Sequence, residues 1–265
     1  MITDNKISYE DIFQRNLGMF TKEEQERIRN LKVAIAGGGG LGGTAAYILA
    51  KLGVGEIRIA DPEEFETSNI NRQFGAYVDT IGQNKAEVIA QELLRINPFL
   101  KVVVVPEALD ETNIPAFLQG VDVVIDGIEF FELNAVLALH REATTNGIPI
   151  FTAQAAMEIS TYTSFLPHSE KFEDLITTDG KLDIRKAIAL CFPVLPKSLT
   201  DSDVENIILG SMHVSSNMIA PEMGVSILCQ DLIGTLIQGR EPFAVAPDML
   251  VLNIEAMDLY IHKIR

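Results

Sequence analysis

Short β-branched runs alternate along the chain with stretches whose apolar residues recur at helical spacing. Leu31–Ala36, Glu56–Ala60, Lys101–Val105, Val121–Ile125 and Ile148–Thr152 read as strands. Thr44–Leu52, Lys85–Ile96, Ile114–Gln119 and Val136–Thr145 read as the helices between them. Lys85–Ile96 places Ala86, Ile89, Leu93 and Ile96 on one face and ends at Asn97–Pro98. Ahead of the first strand, Thr21 to Asn30 predicts a charged amphipathic helix, with Thr21 and Glu24 spaced for a capping box; it belongs to a helical arm over residues 1–30. Strands that are apolar throughout have both faces covered. The pattern therefore predicts an α/β fold, a Rossmann-like, mostly parallel sheet flanked by helices.

Past Ala153 the pattern changes. Ser160–Leu166 alternates like an antiparallel strand, and His168–Thr200 is mixed and Pro-bearing, with Ile184–Leu190 as one short helix. Pro221–Gln238 predicts an apolar helix closed by Gly239 as C-cap, and Leu250–Glu255 a closing strand. C-terminal antiparallel strands thus complete the sheet. With no repeat or low-complexity linker, residues 1–265 are expected to form one domain.

Charge narrows the partners. The 265 residues hold 37 acidic and 21 basic side chains, a net charge of −16. Such a surface repels phosphate backbones and anionic lipid, which speaks against nucleic-acid and membrane partners. An anionic small molecule must instead be held by a few placed cations or by backbone N–H groups. The two cysteines, Cys191 and Cys229, cannot make a four-thiolate zinc site, and both have apolar neighbours that suggest inert thiols. No apolar stretch reaches the roughly 18 residues of a membrane span, and the first twenty residues lack a signal-peptide core. A cytoplasmic protein is expected.

Gly37, Gly39 and Gly42 form a G-x-G-x-x-G series between a strand and a helix. The first permits the turn, the second lets a phosphate approach the backbone, and the third permits close helix–strand packing. Asp61 ends the next strand, where its carboxylate can accept from a ribose diol. This much fits a mononucleotide or a dinucleotide. Asn69, Arg72 and Gln73 follow on the same sheet edge, and Lys85 sits in the first turn of the next helix, where its charge opposes the helix dipole. A triphosphate uses such cations; a nicotinamide cofactor does not. Asp126 and Glu129 follow the fourth strand and offer hard oxygens to Mg²⁺.

The runs Val33–Gly43, Gly53–Asp61, Ser68–Gln73 and Gly82–Lys85 together resemble the E1-like adenylyltransferases, the ThiF/MoeB/HesA proteins and the adenylation domains of ubiquitin-activating enzymes. The resemblance is strongest over Gln14–Pro98, weaker to Thr152, and returns in outline over Pro221–Gly239. It implies ATP and Mg²⁺ as cofactors, adenylation of a carboxylate, and a homodimer. The carboxylate would belong to a ubiquitin-like carrier tail or to a small carboxylic acid. It places Asp61 at the ribose, Asn69 and Arg72 on ATP and Lys85 on phosphate. Arg15 would reach the neighbouring subunit's ATP, and Glu129 would stand at the Mg²⁺ position. Arg15, Arg72, Lys85 and Glu129 are thus the expected catalytic set. Departures occur in the family's T-D-N-x-x-x-R run, where Glu129 replaces Asp, Phe130 replaces Asn and Asn134 replaces Arg. The paired C-x-x-C motif and a cysteine-bearing transfer segment are missing.

Two other readings stand beside adenylation. One is a relative that binds nucleotide but has lost catalysis, favoured by the altered run after Glu129. The other is a nicotinamide-dependent oxidoreductase, which explains Asp61 but leaves Arg72 and Lys85 without a task. His140 reads as a structural residue of an apolar helix, His213 as a surface histidine near the acceptor side, and Met218 and Met223 as core or dimer face.

Overall fold

Two helices lead into the sheet. The computed structural model describes residues 7–129, 131–179, 181–191, 193, 199–208, 211–212 and 215–264. α1 (Tyr9–Phe13) opens on a capping box from Ser8 and Asp11, and α2 (Lys22–Asn30) on the box expected from Thr21 and Glu24. Losing such an N-cap side chain costs about 0.5–2 kcal/mol. Arg27 ties α2 to the far end of the chain by donating to the carbonyls of Ile237 at 2.5 Å and Leu236 at 2.6 Å.

Strands and helices then alternate as β1 (Lys32–Ala36), α3 (Gly40–Leu52), β2 (Glu56–Ala60), α4 (Lys85–Ile96), β3 (Lys101–Val105), α5 (Ile114–Leu118), β4 (Val123–Asp126), α6 (Leu133–Thr145) and β5 (Ile150–Ala156). β6 (Ile159–Phe165) folds back on β5. Next come α7 (Phe172–Ile176), the small hairpin of β7 (Thr177–Thr178) and β8 (Lys181–Leu182), α8 (Ile184–Cys191), α9 (Asp201–Ile208) and α10 (Ile219–Leu236). β9 (Asp248–Asn253) and β10 (Asp258–Lys263) finish the sheet, whose order is β10-β9-β6-β5-β4-β1-β2-β3. The five strands from β1 to β5 are parallel, and β6, β9 and β10 pair antiparallel.

Period-2 alternation assigns each strand residue to a face. Val33 and Ile35 of β1 pack with Leu49 of α3, Ile89 and Leu93 of α4 and Leu232 of α10. Ala34 and Ala36 face the opposite layer, with Ile114 of α5, Leu139 of α6 and Phe172 of α7. Burying one such aliphatic side chain stabilises the fold by about 1.5–3 kcal/mol.

Several elements differ in extent from the sequence reading, and three differences stand out. α3 starts at Gly40 rather than Thr44, because the glycines themselves form its first turn despite their poor helix propensity. α10 ends at Leu236 with Ile237 as C-cap; Gly239 takes its positive φ of 68° two residues later, in the following loop. The strand expected to close the chain is followed by another, β10, paired Leu259 to Leu252 and Ile261 to Leu250. Among the described residues, no helix is long and apolar enough to cross a membrane.

Candidate functional site

The strand order reverses at β1, with β2 and β3 on one side and β4 and β5 on the other. Loops leaving the carboxyl ends of β1 and β4 therefore diverge and open a crevice between them. At its base they touch, where Gly127 N–H donates to the carbonyl of Ala36 at 2.8 Å. The crevice has two adjoining lobes. The larger, about 490 Å³, is lined by Gly37, Gly39, Asp61, Glu63, Lys85, Glu107, Leu109 and Glu132. The smaller, about 180 Å³, is lined by Gly39, Gly40, Leu41, Arg72, Gln73, Gln154, Ala155 and Ser216. Gly39, Gly127, Ile128, Glu129 and Phe131 border both.

The glycines divide between chain and crevice. Gly37 has φ +90°, and a Cβ there would lie 2.3 Å from the carbonyl oxygen of Gly127. A Cβ on Gly42 would lie 1.9 Å from the carbonyl oxygen of Gly37, so this glycine serves packing and lines neither lobe. Gly39 differs: a Cβ there would meet only Gln73 Nε2, at 3.8 Å. It would stand in the crevice, at the N-cap of α3, where no side chain caps the backbone N–H groups of the first turn. Those N–H groups and the helix dipole make this end of α3 suited to an anion.

Asp61, at the end of β2, is almost fully buried. Its carboxylate accepts from Gly38 N–H at 2.6 Å and Glu63 N–H at 2.8 Å, one on each oxygen. Burial pushes the Asp61 carboxyl above its ordinary range, against those two bonds and the nearby Lys85 charge, which pull it down. Lys85 is 4% exposed, and its ammonium reaches Glu63 Oε2 at 2.5 Å. In the smaller lobe, Arg72 donates through Nη1 to the carbonyl of Ser68 at 2.8 Å and to Asn71 Oδ1 at 3.0 Å. Gln73 has a buried Oε1 without a hydrogen-bond partner among the described residues. Such an unmet acceptor costs about 1–3 kcal/mol, which a ligand donor would relieve.

Besides Gly42, three candidate residues lie elsewhere. Asn69 lines neither lobe; its buried carboxamide accepts from Glu66 N–H at 2.9 Å, and its carbonyl accepts from the N–H groups of Arg72 and Gln73. It shapes the turn that presents those two residues. Asp126 also lines neither lobe, because its carboxylate is buried and engaged by Ile128 N–H at 3.1 Å and by His140 Nε2 at 3.0 Å. Arg15 is exposed and lines neither lobe of its own chain. Phe130, His213 and the side chain of Cys191 lie outside the described residues, while Cys229 is buried in the core, where burial pushes its thiol well up.

Glu129 does border the crevice. Among the described residues no three His, Cys, Asp or Glu side chains form a ready metal cage. A magnesium ion carried by a triphosphate needs only one or two carboxylates, the remaining oxygens coming from phosphate and water. The acids of the larger lobe outside the Lys85–Glu63 pair, Glu129 with Glu107 and Glu132, fit that requirement. Glu63, Phe131, Gln154 and Ser216 were not anticipated from sequence. Only Glu63 carried a signal, standing two residues after Asp61 in an acidic run.

Comparison with known proteins gives the chain a family and a fold. The ThiF family model matches residues 13–262. The tRNA threonylcarbamoyladenosine dehydratase of Bacillus subtilis is 27% identical over 245 residues, 86% of this chain and 96% of that protein. A probable molybdopterin-synthase adenylyltransferase of Porphyra purpurea is 30% identical over 203 residues, 74% of this chain and 53% of that protein. The SAMP-activating enzyme E1 of Haloferax volcanii is 36% identical over 48% of this chain and 47% of its own length. The chain thus spans nearly all of the first relative but about half of the other two. In fold it is similar to Escherichia coli MccB solved with ATP, with a TM-score of 0.76 and 19% identity over 98% of this chain and 72% of that one. PaaA superposes with a TM-score of 0.75 and 18% identity over 99% of this chain and 78% of its own.

Proposed function

The chain belongs to the ThiF family, and from that premise we propose that it is an ATP-dependent adenylyltransferase, activating a carboxylate as an acyl adenylate with release of pyrophosphate. The observation that carries this reading is the crevice itself. Asp61, Lys85 and the open end of α3 surround one lobe, Arg72 lies in the next, and both lobes meet at Gly39. ATP would lie with its ribose at Asp61 and its phosphates across Gly39, between Lys85 and Arg72.

The substrate carboxylate, already ionised, attacks the α-phosphorus. The bond from that phosphorus to the bridging oxygen breaks, and pyrophosphate leaves. No side-chain nucleophile is needed; alignment and charge neutralisation supply the catalysis. Arg72, Lys85 and the α3 N–H groups receive the developing charge, and Arg15 of a second copy would add to them. Glu129, helped by Glu107 and Glu132 of the larger lobe, would hold a magnesium ion, which would neutralise phosphate charge there.

A peptide or protein tail suits the smaller lobe better than a compact acid. β5 pairs with β4 only over Ile150–Thr152, yet continues to Ala156. Among the described residues no strand covers its β4-side edge beyond Thr152, and Gln154 and Ala155 line the smaller lobe. An extended chain can add to such an edge through backbone hydrogen bonds, leading its terminal carboxylate toward Gly39. The net charge of −16 supports a protein or peptide over a tRNA.

ATP–pyrophosphate exchange tests the reading. Exchange is expected with carriers or peptides bearing a free C-terminus and not with their amidated forms, small acids or tRNA. ATP binding without exchange for any carboxylate would favour a catalytically impaired relative, and preferential NAD binding would overturn the nucleotide assignment.

A further inference from the structure

His140 projects from α6 into the core and is 4% exposed. Its ring lies between Phe165, at 4.9 Å edge-on, and Phe172, at 4.6 Å. Packing alone would be served by a third phenyl. The imidazole instead puts Nε2 3.0 Å from Asp126 Oδ2. A carboxylate can only accept, so this bond sets the tautomer with the proton on Nε2. The other oxygen of the same carboxylate accepts from Ile128 N–H at 3.1 Å, and Thr152 Oγ1 donates to the Asp126 carbonyl at 3.0 Å. Asp126 is thus fixed on three sides, just where the chain leaves β4 and becomes the shared wall of the crevice.

That wall is Gly127, Ile128 and Glu129. Its near end is tied to β1 through Gly127 N–H, and the Ile128 amide holds its middle to Asp126. Glu129 is the next residue and borders both lobes. Without the histidine, the Asp126 carboxylate could rotate and release Ile128, because among the described residues no other side chain bonds Oδ2.

We propose that His140 is a positioning residue: by holding Asp126 it fixes the Ile128 amide and so places Glu129 against the triphosphate, while touching no ligand itself. The inference rests on the adenylation reading for what Glu129 does, but the link from His140 to Ile128 is a property of the ligand-free chain.

The test compares His140→Phe, which fills the space between the two phenyl rings but cannot donate, with His140→Gln, which keeps a donor. In ligand-free protein, His140→Phe is expected to speed amide hydrogen exchange over 127–129 by about tenfold, the loss of roughly one hydrogen bond to a charged group. Exchange in β1 and α4 should stay as in the wild type. Affinity for ATP with Mg²⁺ should fall by a similar factor while AMP affinity holds, and His140→Gln should recover most of both. In a Glu129→Gln background, His140→Phe should cause no further loss, since both changes break one link. Wild-type exchange at 127–129 in His140→Phe, or full additivity with Glu129→Gln, would overturn the proposal. Wild-type Mg²⁺–ATP affinity in Glu129→Gln would instead sink the role given to Glu129, with the exchange data still deciding the link to Ile128. Should the phenylalanine variant fail to fold, His140→Met removes the donor with a more adaptable side chain.

Discussion

Lys85 Nζ and Glu63 Oε2 lie 2.5 Å apart, the lysine buried and the glutamate largely open to the crevice. In the proposed complex a phosphate takes the place of Glu63. Glu63→Ala should therefore lower the Tm of the ligand-free protein, because it strands a buried ammonium. The loss is about 2–4 °C for each kcal/mol at this chain length. Saturating ATP with Mg²⁺ should restore it, and ATP affinity should rise several-fold now that no carboxylate must be displaced. Thermal shift with and without nucleotide measures both; an ATP affinity that stays put would separate Lys85 from the phosphates.

Gly39 and Gly42 should respond oppositely to alanine. Gly39→Ala adds a methyl in open space and should cost about 0.5–1 kcal/mol of stability, because alanine is a poorer N-cap than glycine. It should weaken ATP binding tenfold or more by filling the approach to the α3 N–H groups. Gly42→Ala drives a methyl into the Gly37 carbonyl and should destabilise by about 1–3 kcal/mol. Denaturant midpoints alongside nucleotide titrations separate the two effects.

A buried acid that lines neither lobe predicts a pH effect. Asp231 is fully buried, accepts from Tyr162 Oη and from Phe243 N–H on one oxygen, and leaves Oδ1 without a partner among the described residues. Burial raises the Asp231 carboxyl above its ordinary range, against the two hydrogen bonds and Arg240. A folded-state value above the unfolded one means that the native state keeps its proton longer. Stability is then lost as pH rises from the unfolded value through the folded one. Asp231→Asn retains an acceptor for both donors and removes the charge. It should raise Tm at pH 7.5, and the gain should shrink toward pH 4. Thermal melts across that range check the sign.

If Arg15 completes the neighbour's site, Arg15→Ala and Lys85→Ala should each abolish exchange alone yet complement when mixed. Half of randomly assorted dimers are mixed, and one of their two crevices is intact, so about a quarter of wild-type activity should return. Mixtures with no recovery would place Arg15 within its own subunit or outside catalysis.

The parallel core was legible because β1, β3 and β4 carry contiguous apolar runs, β2 keeps Ile57, Ile59 and Ala60 around Arg58, and the helices between them have a clear periodicity. β10 was not: Leu259 and Ile261 alternate with polar residues at the sheet edge and remain about half exposed. Asp61, Lys85 and the glycine turn could be placed at the crevice because their positions follow from a strand end or a helix start. Asp126 and Glu129 were equivalent in sequence, two acids after one strand. What separates them is His140, fourteen residues on and meeting Asp126 only once α6 packs on the sheet. Asn69 likewise looked like a ligand contact because its task, shaping a single turn, leaves no periodic trace.

The outer face of β9 and β10 has a consequence for handling the protein. Leu259 and Ile261 stand opposite Leu252 and Leu250 on an edge with no further strand among the described residues. Such an unpaired, oily margin invites another copy to zip onto it. At low ionic strength, mutual repulsion between molecules carrying −16 keeps these margins apart. Concentrated salt, or acidification that neutralises the carboxylates, removes the guard, so stock solutions should be kept dilute in electrolyte and above neutral pH.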